Sequence, residues 1–100
     1  MRQPSLRFSW QAPQERTDGA ALTPEEINKL HYRLYENGDL AVDDIGLLNF
    51  ELLMSDKAHG SYTYTVTAVL YGLESPPSEP AVVNFIPPAA PRNFAVSWID

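Results

Sequence analysis

The chain contains no cysteine, so no disulfide can staple its fold and no thiolate can hold a metal. Basic residues are few. Seven Lys and Arg stand against thirteen Asp and Glu, for a net charge of −6 and a pI near 4.7. Nucleic acid and anionic membranes are held through clustered cations, and the seven here are scattered, so neither is expected as a partner. No apolar run approaches the ~20 residues that cross a bilayer. The start, "MRQPSLRFSW", passes straight into alternation without the apolar stretch of an export signal. His31 and His59 are the only histidines, too few for a zinc site, and no G-x-S-x-G marks a nucleophile elbow. The acids at Asp39, Asp43 and Asp44, and at Glu25 and Glu26, lack the alternating oxygen ligands of a calcium loop and read as solvated loops. The expectation is a chain with no catalytic residue, no metal and no cofactor.

What is present is punctuation and period two. Nine prolines and five glycines divide 100 residues into short segments. A chain of this length forms one domain and buries about two-thirds of its unfolded surface, enough for one core. In "HGSYTYTVTAVLYGLESPPSEP" (59–80), Tyr62, Tyr64, Val66, Ala68 and Leu70 fall on one side, and Thr63, Thr65 and Thr67 on the other. That is a strand with one dry and one wet face. Leu6, Phe8 and Trp10 alternate likewise at the start, as do Leu30, Tyr32 and Leu34 further on. Asn37-Gly38 reads as a hairpin turn into "LAV" at 40–42. "LLNFELLM" (47–54) is a strand with Phe50, Leu52 and Met54 inward. "EPAVVNFI" is a last strand whose inward set is either Val83 and Phe85 or Val82, Asn84 and Ile86. "TPEE" at 23–26 sets an N-cap Thr before Pro and two acids, predicting a single helical turn inside the long loop 12–28. Six short strands without a longer helix predict an all-β antiparallel sandwich.

Trp10, the Y-x-Y-x-V-x-A run at 62–68 and the G-x-E-S-x-x-S segment at 72–78 together resemble a fibronectin type III domain, over about residues 5–86. The likeness is nearest to bacterial and bacteriophage versions, which often carry a D-G-x-x-L loop, as at Asp18, Gly19 and Leu22. The resemblance implies that Trp10 is the core indole of strand B, that Tyr32 and Leu34 lie in strand C, and that Tyr62 is the tyrosine-corner residue opening strand F. With Tyr64 and Val66 these residues form the expected core. Nine residues before Trp10 are too few for a full strand A, so that strand is expected to be short or missing.

The division expected is a body over 1–86, then a Pro-rich spacer and β-prone tail over 87–100. Two loops that share one end of the sandwich in the family offer a contact surface: Asp18, Leu22 and Glu25 from one, Leu73, Glu74 and Pro76 from the other. Leu22 and Leu73 either meet a partner or fold down as plugs. Tyr35 and Tyr71 fall outside the inward sets, and a carbohydrate-stacking role for them is the lesser alternative. The tail "RNFAVSWID" carries Phe94, Val96 and Trp98 on one side, suited to supplying the missing strand either to its own sandwich or to a neighbour by strand addition. "NFAVSW" (93–98) also partly repeats "SLRFSW" (5–10), which fits the start of a second repeat. Met1 fits either a native start or an excised piece. The functional expectation is a non-catalytic structural or protein-interaction module with other protein subunits as partners. A small subunit of a tailed-bacteriophage virion (tail, baseplate or capsid decoration) comes first. The alternative is a fibronectin-type segment of a bacterial secreted enzyme or surface adhesin.

Overall fold

A computed structural model of the chain describes residues 5–54, 57–86 and 89–99. It is mostly antiparallel β-sheet, with strands β1 (Ser5–Ser9), β2 (His31–Glu36), β3 (Asp39–Ile45), β4 (Asn49–Leu53), β5 (Gly60–Leu70), β6 (Leu73–Glu74) and β7 (Ala81–Phe85), and one short helix, α1 (Pro24–Asn28). β1 and β4 form a two-stranded sheet with Phe8 opposite Phe50. The second sheet runs β3-β2-β5, and the far edge of β5 is shared by β6 and then β7.

The two sheets face one another across the alternating apolar residues. Leu30, Tyr32, Leu34, Ile45, Tyr64 and Leu70 are buried, with Leu6, Phe8, Trp10, Phe50, Leu52, Tyr62, Val66 and Val83 packed against them. Phe8 and Tyr64 meet across the layers with ring centroids 4.7 Å apart, and Trp10 meets Tyr32 at 5.5 Å. Each fully buried side chain of this size contributes about 1.5–3 kcal/mol, so this contact between layers is where the fold's stability resides. In β7 it is Val83 and Phe85 that turn inward, while Val82 and Ile86 are exposed.

Local chemistry fixes the connections. Asn37 and Gly38 both take positive φ (51° and 86°), the pairing a two-residue hairpin turn needs to match strand twist. Tyr71 and Gly72 repeat the device at 53° and 78°, so the hairpin closes two residues after β5 and Leu73–Glu74 are already strand. Thr23 caps α1 by accepting from the Glu26 N–H at 3.1 Å, and Glu26 accepts the Thr23 N–H in return. Ile27, on α1, packs against the core.

Several expectations need correcting. Seven strand segments are present among the described residues, because the tight Tyr71-Gly72 turn lets Leu73–Glu74, in the segment 72–78 expected to be loop, pair with β5 as β6. Trp10 lies one residue past β1, with its N–H on the Leu48 carbonyl at 3.0 Å. β3 is seven residues long, because two register shifts against β2 insert extra residues and break its alternation. Asp43 and Asp44 are therefore strand residues, Asp44 at φ 56°, and Ile45 is carried into the core. The face of β5 expected to be wet is wet at one end only: Thr67 and Val69 are buried. Expectations that fall on residues 1–4, 55–56, 87–88 and 100, including the start at Met1 and the first two prolines of the spacer, lie outside the described residues.

Candidate interaction surfaces

The loop 12–28 and the β5–β6 hairpin come together at one end of the molecule. Leu22, Leu73, Glu74 and Pro76 line a shallow cleft of about 200 Å³ whose floor includes Leu30 and Leu70. Leu22 is half-buried against the core and acts as a plug, whereas Leu73 is 72% exposed. Asp18 and Glu25 stand apart from the cleft lining. Asp18 accepts the Ala20 N–H at 3.0 Å and shapes the turn at Gly19. Glu25 is exposed and lies 3.7 Å from the Lys29 ammonium one helical turn on.

Glu74 is committed within the fold. It accepts from Thr67 Oγ1 at 2.6 Å, from the Tyr35 hydroxyl, and from Arg33 Nη1 at 3.2 Å, while Arg33 Nε donates to Asp43 at 3.0 Å. The ladder Asp43–Arg33–Thr67–Glu74 thus crosses β3, β2, β5 and β6 on the outer face of the larger sheet, and it explains why Thr67 is buried. Hydrogen bonds from Thr67 and Tyr35 hold the Glu74 carboxyl below its ordinary value, and Arg33 does the same for Asp43. The Tyr35 hydroxyl, bound to that carboxylate, is pushed up. Tyr35 is accordingly a structural residue and drops out as a free contact. Tyr71 stays 63% exposed in its turn, with the Lys29 ammonium 5.6 Å from its ring centre.

At the opposite end, Glu36 is half-buried, and burial alone would raise its carboxyl. Hydrogen bonds from Lys57 and the Tyr64 hydroxyl override this and leave it below the ordinary value. A carboxylate whose folded pKa is depressed stabilises the fold fully above its unfolded value, and that contribution is lost as pH falls through the folded value. For Glu36 and Glu74 the ordinary value is 4.5. The melting temperature is therefore expected to be insensitive to these groups from pH 7 down to about 5 and to fall below that. The Glu74→Gln variant should show a smaller acid-side fall in a pH series of thermal melts. An identical fall would mean that Glu74 is not held ionised by its neighbours.

Two further surfaces are apolar. Residues 89–99 form no regular element; Phe94, Val96, Trp98 and Ile99 are 91–98% exposed, and the ribbon gives the chain a 78 Å long axis against 24 and 18 Å across. The second surface has little signal in the sequence. Among the described residues nothing pairs with the edge of β1 turned away from β4. Between that edge and the segment leading into β7 lies a cleft of about 220 Å³, lined by Phe8, Ser9 and Trp10 on one side and Ser78, Glu79 and Ala81 on the other. Its floor is Leu34 and Tyr64, the middle of the core. No protein-family model, curated protein or solved structure matches this chain.

Proposed function

We propose that this chain is a fibronectin type III-like, non-catalytic interaction module that serves as a small structural subunit of a larger assembly, such as a tailed-bacteriophage particle, and is anchored by its C-terminal ribbon. The exposure of Phe94, Val96 and Trp98 on one segment carries the reading, because alternating large apolar side chains left in water are a solubility liability unless a partner covers them. The fold assignment is supported by the two facing antiparallel sheets and by Tyr62, whose hydroxyl donates to the Ala58 carbonyl four residues upstream, in the manner of a tyrosine corner. The S-x-x-S pair supports it too, since Ser75 and Ser78 bond the edge of β5 with side chain and main chain alike.

The test is affinity purification of the tagged full-length chain from cells that encode it, beside the Trp98→Asp variant. A protein subunit should co-purify in stoichiometric yield with the native chain and at least tenfold less with the variant. Recovery of the chain alone, or recovery unchanged by the substitution, defeats the ribbon as an anchor. The second reading, a module of a longer secreted or surface protein, is favoured by the partial repeat of residues 5–10 at 93–98. Retention on insoluble polysaccharide that is lost on Tyr71→Ala would select it.

A further inference from the structure

We infer that the open seam between β1 and the segment leading into β7 is a strand-acceptor site, and that its occupant is the ribbon Asn93–Ile99 of a second copy of this chain. The inference rests on the anchoring role proposed above and names the partner and the place. Four observations converge on it. Among the described residues the edge of β1 facing the seam has unpaired main chain, the template for adding a strand. Beside that edge the cleft opens onto Leu34 and Tyr64, so an added strand lowers apolar side chains onto an existing core. The ribbon offers Phe94, Val96 and Trp98 at every second residue, all exposed. The ribbon's own residues, 93–99, are uncharged and are flanked in sequence by Arg92 and Asp100, so it brings no like charge of its own to Glu79 of the seam on a chain whose net charge is −6.

Size also fits. Each aromatic side chain covers about 150–250 Å² when buried, and a reciprocal exchange of two ribbons brings the total toward the roughly 1,200–2,000 Å² of a stable interface. Reciprocal exchange closes as a two-fold dimer, whereas one-way donation propagates as a filament. Main-chain pairing supplies affinity in both cases, and the seam's apolar floor selects the side chains.

The purified full-length chain is the material for the test, with light scattering after size exclusion over a hundredfold concentration range. The native chain should form dimers or larger species at the upper end. Val96→Pro removes a main-chain donor from the middle of the ribbon, where no fold contact is at stake, and should return the chain to monomer. Because the chain has no cysteine, the double variant Ser9→Cys/Ala95→Cys reports where the ribbon lies. An intermolecular disulfide on a non-reducing gel is expected. A closed monomer would put the ribbon in its own seam and overturn the assignment. So would a native chain monomeric at every concentration, or a Val96→Pro variant that still associates. If the purified chain is monomeric while another subunit is still captured through Trp98, this inference fails and the anchoring role survives.

Discussion

Tyr64→Ala is expected to lose about 3–5 kcal/mol of unfolding free energy, the range seen when a buried aromatic is truncated and a cavity remains. Tyr64 is 1% exposed, sits on the central strand β5, and meets Phe8 of the opposite sheet. Its hydroxyl donates to Glu36 Oε2 at 2.8 Å, with Met54 Sδ at 3.9 Å. Burial and the Glu36 carboxylate both raise the phenol's pKa, so it stays a donor throughout the accessible pH range. Removing the ring therefore opens a void between the layers and strips a half-buried carboxylate of one partner at once. For a domain of this size each kcal/mol moves the melting temperature by about 4–8 °C, so the loss is plain in a thermal melt followed by circular dichroism. Tyr64→Phe separates the two effects: it keeps the packing and should cost about 1 kcal/mol, the net value of one hydrogen bond. If Tyr64→Ala costs less than that, the two sheets do not close over this ring.

Trp10 gives the second large effect, and a sharper contrast. Its indole packs on Tyr32 at a tilt of 56°, and its Nε1–H is buried without an acceptor among the described residues. Trp10→Ala should cost about 3 kcal/mol, the lower end of the aromatic range, because the residue is only partly buried. Trp10→Phe should cost under about 1 kcal/mol, since it retains the apolar contact and removes a donor that is costly to bury unpaired. Urea titrations of both variants decide the matter. A large loss for Phe would mean that the indole nitrogen is bonded in solution. Trp10→Phe also leaves Trp98 as the sole indole, so its emission reports the ribbon's environment directly.

Where period two was strict, the fold could be read from the residues. In β2 the sequence alternates Tyr32 and Leu34 against Arg33 and Tyr35, and the structure buries the first pair. The Asn37-Gly38 turn and the Thr23 cap were equally legible, because each is a local device whose residues have few other uses. β3 was legible only in part: its bulges are set by what β2 requires opposite, and no local pattern announces an inserted residue. The burial of Thr67 was hidden for a similar reason. A threonine in a strand reads as wet until a carboxylate forty-one residues from Arg33 arrives to bridge them both. Among the candidate contact residues, the apolar ones stood out because leucine is unusual in a polar loop. Glu74 could not be told from an ordinary surface acid, and the seam, being a gap between elements, has no residue of its own to announce it.

The double proline beyond β6 has a consequence for how such a molecule can grow. Pro76 and Pro77 carry no amide hydrogen, and the flanking Ser75 and Ser78 hydroxyls are already turned inward onto β5. A foreign chain sliding along that border would find a stretch with nothing to grip. The larger sheet is in effect hemmed along that stretch, while its opposite border, β3, pairs only with β2 among the described residues. Under the anchoring proposed above, two imino acids standing directly before Ser78 and Glu79 of the seam would narrow where along that border a second chain can pair.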